Sequence, residues 1–148
     1  MQPLFYVSGF LYSRKTHQIL LLSSRPKDDI SSVWSTPGGE SKDGEEASVS
    51  FQRIISKILN LNLKSKHIYP IYDYFHETLN KVNHVFYGEI GNTKIFSASK
   101  KGIPSWVSFS ETLKLSFTVR TKHDLVVGER VINAKSRDDE AKIAGVGG

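Results

Sequence analysis

The order of elements legible along the chain predicts an α/β sandwich built on a mixed β-sheet. Three observations carry that expectation: aromatic and β-branched runs open the chain, apolar residues switch to three- and four-residue spacing after Glu45, and further aromatic runs precede a last apolar-periodic segment. With 148 residues, of which 39% are hydrophobic and 24% charged, one domain is long enough to bury its own core.

Leu4 to Tyr12 carries Phe5, Tyr6, Val7, Phe10 and Tyr12 and reads as a strand; Gln18 to Leu22 is its neighbour, after the polar turn Ser13-Arg14-Lys15-Thr16-His17. Ser23 to Ser32, with Pro26, Asp28, Asp29 and several serines, is loop chemistry. Trp34 to Pro37 is a short extended piece, because proline pushes the preceding residue out of the helical region, and Gly38-Gly39 then permits dihedrals other residues avoid. Ala47, Phe51, Ile54, Ile55, Ile58 and Leu59 form one stripe of an amphipathic helix. Glu45 and Glu46 are placed in its first turn, where carboxylates suit the helix dipole, and Asn60 and Asn62 are its stop signals. Tyr69 to Phe75 and Val82 to Ile90 predict an antiparallel pair around a polar turn from Glu77 to Lys81, ended by Gly91-Asn92. Trp106 to Phe109 is a further short strand, followed by a turn-like Ser110-Glu111-Thr112-Leu113. His123 to Ala134 is a closing helix despite Gly128. Residues 1–135 therefore make the domain, and 136–148, polar and then glycine-rich, are expected to be a flexible tail. There is no internal repeat.

Composition excludes some chemistry. Without cysteine there is no disulfide, no zinc-thiolate site and no thiol nucleophile. Met1 to Phe10 lacks a basic leader with an apolar core, and no apolar run approaches a membrane span, so a soluble cytoplasmic protein with no membrane partner is expected. The net charge of +5 is uneven: Lys94, Lys100, Lys101, Lys114, Arg120 and Lys122 face only Glu111 between Asn92 and Lys122. Such a stretch favours anions, although cations spread over so long a segment read first as solvated loop. Aromatics alternate with these lysines as strand cores do, not as base-stacking platforms, which argues against nucleic acid as a partner.

The most specific pattern lies between Trp34 and Leu61. Its first half reads Trp34-Ser35-Thr36-Pro37-Gly38-Gly39-Glu40-Ser41-Lys42-Asp43-Gly44-Glu45, and its second Gln52-Arg53-Ile54-Ile55-Ser56-Lys57-Ile58-Leu59-Asn60-Leu61. This resembles the box of the Nudix hydrolase family: a Gly, five residues, a Glu, seven residues, then Arg-Glu, an aliphatic, any residue, Glu-Glu, any residue, Gly and an aliphatic. Gly39, Glu45, Arg53, Ile55 and Leu61 match; the three helix glutamates fall on Ile54, Lys57 and Ile58, and the late Gly on Asn60. The resemblance implies an α/β/α sandwich with a mixed sheet over residues 1–135. It implies a site for a nucleoside diphosphate linked to another group, with magnesium or manganese as cofactor if the protein hydrolyses phosphoanhydride bonds, and none otherwise. On matched positions it makes Glu45 and Arg53 the catalytic and loop-organising pair. It makes Gly38 and Gly39 substrate contacts, with a carbonyl there and Glu45 as the metal candidates. It makes Arg25, after the second strand, a candidate substrate contact beside Lys57.

The rewritten helix alters the chemistry that this resemblance implies. At about 100° per residue, positions 54, 57 and 58 share one face, which is how the family converges glutamates on a metal cluster. Isoleucine offers no ligand, and Lys57 puts positive charge where a cation would sit; the nearby loop position is Lys42. Lys57 can instead serve as a fixed countercharge for phosphate. Carboxylates that could rebuild a site are Glu40, Asp43, Glu45 and Glu46 near the loop and Glu77, Glu89 and Glu111 later; His76 and His84 flank the hairpin and could face each other. Three readings stay open: a degenerate Nudix-fold protein that binds a nucleotide or other diphosphate with little or no hydrolysis, an active hydrolase with relocated carboxylates, and a nucleic-acid- or protein-binding module. A homodimer is left open.

Overall fold

Period-two alternation in the first strands sets the two faces of one sheet. In the computed structural model, which describes residues 3–143, β1 (Tyr6–Ser13) and β2 (Gln18–Ser23) send Val7, Leu11, Leu20 and Leu22 to one face and Phe10, Ile19 and Leu21 to the other. The other strands are β3 (Trp34–Ser35), β4 (Gly38–Glu40), β5 (Ile68–His76), β6 (Lys81–Ile90) and β7 (Ile103–Ser108). The main strand order is β3-β2-β1-β6-β5, with β4 on β1 and β7 on β2. β1 runs parallel to β6, whereas the other pairs are antiparallel, which makes the sheet mixed.

One helix covers each face. α1 (Ala47–Leu59) lays Phe51, Ile54, Ile55, Ile58 and Leu59 on Val7, Leu11, Leu20, Leu22 and Phe86. A short α2 (Phe109–Thr112) follows β7, and α3 (Val119–Ile143) packs Leu125 and Ile132 on the opposite face with Phe10, Val85 and Tyr87. The expected α/β/α arrangement is thus observed. Gly128 is where α3 comes closest to the sheet: a Cβ there would lie 2.8 Å from the Phe10 ring. No helix among the described residues is long and apolar enough to cross a membrane.

Several boundaries differ from the sequence expectation. α1 starts at Ala47, so Glu45 and Glu46 precede the helix instead of occupying its first turn, while Asn60 ends it in the left-handed conformation as expected. Gly38 and Gly39 form a strand on β1, paired with Ser8 and Val7, and neither has positive φ. β7 starts at Ile103 and stops before Phe109, which opens α2; Ser108 and Glu111 cap that turn reciprocally. The closing helix is nine residues longer at its end than the expected Ala134 stop, reaching Ile143. Residues 136–143, expected as tail, are therefore helical, and the boundary at 135 falls inside α3; Lys135 and Asp139 pair one turn apart there (2.9 Å). The remainder of the expected tail, 144–148, lies outside the described residues.

Candidate functional site

An ion pair ties the chain between β3 and α1 to the helix. Arg53, on α1, donates from Nε to Glu45 Oε2 (2.8 Å), from Nη2 to Glu45 Oε1 (3.0 Å), and from Nη2 again to the Glu40 carbonyl (2.8 Å). Glu45 Oε1 also accepts from the Ser50 hydroxyl (2.6 Å) and the Lys42 amide (2.9 Å). This set of donors, led by the Arg53 guanidinium, holds the Glu45 carboxyl at about 2, well below its ordinary value. Both carboxylate oxygens are committed to the protein. The arrangement ties the loop to α1.

Beside this tie lies a cavity of about 650 Å³ between the β4 glycines and α1. Gly38, Gly39, Arg53, Ile54, Lys57 and Ile58 all border it, so the structure brings the expected loop and helix positions together. Ile54 lies directly over Gly39, where a Cβ would come 2.8 Å from Ile54 Cδ1. A side chain at position 39 would force Ile54 to shift, whereas the backbone angles there do not call for glycine. Ile54 and Ile58 are buried, whereas Lys57 between them is exposed. Burying each isoleucine contributes roughly 1.5–3 kcal/mol, so this face of α1 is part of the core.

The donor set at this face does not fit a divalent magnesium or manganese ion. Ile54 and Ile58 offer no ligand atom and Lys57 carries an ammonium, both Glu45 oxygens already accept hydrogen bonds from the protein, and Glu40 pairs with Lys81 (2.6 Å). Among the described residues, no three His or acidic side chains are grouped so as to hold a metal ion. The candidate replacement carboxylates are scattered. Glu89 pairs with Arg14 and Lys135, Glu111 caps α2, Glu77 lies in the β5–β6 turn, and Asp43 and Glu46 are exposed. His76 and His84 do not face each other: His84 lies opposite Asp73 across the hairpin and edge-on to Phe5, while His76 lies opposite Lys81. Arg25 is not brought to the cavity; it pairs with Asp29 within the β2–β3 loop.

A second, more polar cavity of about 260 Å³ opens on the other side of the same loop, lined by Ser8, Ser35, Tyr74, Asn83, Arg120 and Asp124 among others. Tyr72 and Tyr74 both donate to the Asp124 carboxylate, and the Asn83 amide donates to Tyr74 Oη (2.9 Å) and Ser8 Oγ (3.0 Å). Arg120 lays its guanidinium 3.5 Å over the Tyr74 ring. Burial pushes the Asp124 carboxyl above its ordinary value, against the two tyrosine hydroxyls that pull it down. Sequence reasoning missed this cluster. Its one local signal was the alternation of Tyr72 and Tyr74, which puts both hydroxyls on one face of β5. Lys100 and Lys101, read as solvated, are exposed and also border the first cavity.

No protein-family model matches the chain, and no curated protein matches it. Solved structures do. The NUDIX domain of Shewanella oneidensis NrtR, complexed with ADP ribose, superposes with a TM-score of 0.67 at 11% identity, covering 89% of this chain and 90% of that one. A NUDIX hydrolase described as putative from Listeria monocytogenes gives 0.63 at 21% identity over 90% and 97%. A C. elegans Ap4A hydrolase in binary complex gives 0.65 at 14% identity over 87% and 98%. The chain has the Nudix fold.

Proposed function

We propose that this chain is a Nudix-fold binding protein that holds a nucleotide or other diphosphate-bearing small molecule with little or no hydrolysis. The observation that carries the reading is the α1 face at the cavity, where buried Ile54 and Ile58 flank an exposed Lys57 beside Gly38 and Gly39. Such a face supplies a positive charge for phosphate and no oxygen ligands for the metals that activate water in phosphoanhydride hydrolysis. The Glu45–Arg53 tie keeps the loop in place, so a ligand site survives where the metal-binding set does not. The polar cavity beyond Ser35 offers amide, hydroxyl and carboxylate groups to the remainder of such a ligand. The complex of the NrtR NUDIX domain with ADP ribose supports this ligand class.

The test is a panel of nucleoside diphosphate sugars, dinucleoside polyphosphates and nucleoside triphosphates, followed by thermal melting and by product analysis. A rise in melting temperature in the presence of chelator, with no product formed on adding magnesium or manganese, is the expected result. Turnover that scales with protein and disappears on chelation would overturn it.

A further inference from the structure

The ionic groups around the first cavity do not balance. Arg53 is committed to Glu45, and Glu40 to Lys81, but Lys57, Lys100 and Lys101 have no carboxylate partner among the described residues. Three lysines without a carboxylate partner thus border a cavity that Ile54 and Ile58 also line.

Lys100 and Lys101 are delivered by a structured element. Ser99 and Gly102 exchange both backbone hydrogen bonds, N–H to carbonyl at 3.0 and 3.1 Å, and close a tight two-residue turn with the lysines at its tip. The Lys101 amide also donates to Ser99 Oγ (3.1 Å). Gly102 has φ +139 and sits so close to β2 that a Cβ would come 3.0 Å from the Ser23 carbonyl, which ties the turn to the sheet. Two cations therefore approach the cavity from the β6–β7 connection, while the third comes from α1.

Building on the proposed function, we infer that the Ser99–Gly102 turn is a phosphate clamp: Lys100 and Lys101, with Lys57, take the charge-neutralising place of divalent metal and bind the diphosphate as its metal-free anion. Compact ammonium groups suit this task, since each acts as a strongly hydrated point charge that donates to phosphate oxygens without demanding a fixed plane. Magnesium neutralises a free diphosphate and competes with the lysines, so it weakens binding instead of supporting it.

The experiment is calorimetric titration of ADP and of inorganic pyrophosphate into the wild-type chain, the double variant Lys100→Ala/Lys101→Ala and its counterpart Lys100→Arg/Lys101→Arg, each in chelator and again in excess magnesium. The wild type is expected to bind in chelator and several-fold more weakly in magnesium. The alanine variant should lose roughly tenfold or more in affinity and show a shallower dependence on salt, with binding retained in the arginine variant. Because both lysines are on the surface, melting temperatures of the free proteins should coincide. Wild-type binding that the alanine variant preserves, or that requires magnesium, overturns the clamp and leaves the diphosphate-binding reading standing. A wild type that binds neither probe under either condition overturns that reading and the clamp with it.

Discussion

Replacing Glu45 by glutamine isolates the tie that holds the loop. Glu45 titrates at about 2 in the folded chain against an ordinary 4.5, with the Arg53 guanidinium as the leading cause. Taken at face value that gap corresponds to roughly 3 kcal/mol. The Arg53 and Glu45 side chains are 27% and 13% exposed, so solvent screening reduces the figure to roughly 1–2 kcal/mol. The folded value is depressed, so the stabilisation is complete above 4.5, where both states are ionised. As pH falls from 4.5 towards 2, the unfolded chain takes up a proton that the folded chain refuses, and the contribution is lost. Urea unfolding of wild type and Glu45→Gln at a series of pH values measures the difference directly, because the other carboxylates titrate alike in both proteins and cancel. The expected gap is roughly 1–2 kcal/mol near neutrality, level down to about pH 5, then shrinking through the acid range. A gap that stays constant down to about pH 2.5, or is absent near neutrality, would refute the coupling between Glu45 and Arg53.

Three further outcomes test the packing at Gly39, Gly128 and Asp124. Gly39→Ala sets a methyl against Ile54 Cδ1 and should destabilise by roughly 1 kcal/mol, an effect that Ile54→Val partly relieves in a double-mutant cycle read by urea unfolding. Gly128→Ala gains helix propensity of about 1 kcal/mol, but its methyl would lie 2.8 Å from Phe10 and 3.2 Å from Ile71, so the net result is a loss of stability of roughly 1 kcal/mol in the same assay. Asp124→Ala strips the acceptor from the Tyr72 and Tyr74 hydroxyls at a site only 4% exposed, and should lower stability by roughly 2–3 kcal/mol near neutral pH; a melting temperature equal to wild type would show that the hydroxyls find other partners.

The elements legible in the sequence are those whose own side chains decide them. The alternation of Val7, Phe10 and Leu11, and the three- and four-residue steps from Phe51 to Leu59, report burial on fixed faces, and both elements are found where that pattern puts them. Glu45 and Arg53 were legible only through the resemblance to the Nudix box, which matches both positions, and the structure joins the two side chains. β4 was not legible, because glycine carries no strand preference and its pairing is decided by the free side of β1. Nor was the far half of α3, whose charged residues after Lys135 give no apolar stripe and whose Lys135–Asp139 pair is visible only once the helix exists. The polar cavity joins Ser8, Tyr74, Asn83 and Asp124, and Lys101 reaches the neighbourhood of Lys57 from another element. Such assemblies depend on long-range register, which local periodicity does not encode.

Stability and ligand chemistry are separable along one turn of α1. Ile54 and Ile58 serve the core and the cavity floor at once, so placing glutamate at either position would put a carboxylate in an apolar environment beside Gly39 and raise its pKa before it could hold a cation. Lys57 carries no such constraint, since its side chain is exposed between them. The two kinds of position therefore respond to different measurements: Ile54 and Ile58 to unfolding free energy, Lys57 to anion affinity and its salt dependence. Under the proposed function, isoleucine at these positions makes packing surface of a face that a charged cluster would keep hydrated, and the charge needed to hold phosphate lies on Lys57 and on the turn bearing Lys100 and Lys101. Building a metal-dependent hydrolytic site on this face would then require more than three carboxylates, because the isoleucines that α1 buries against Gly39 and the sheet would have to be replaced in the core as well.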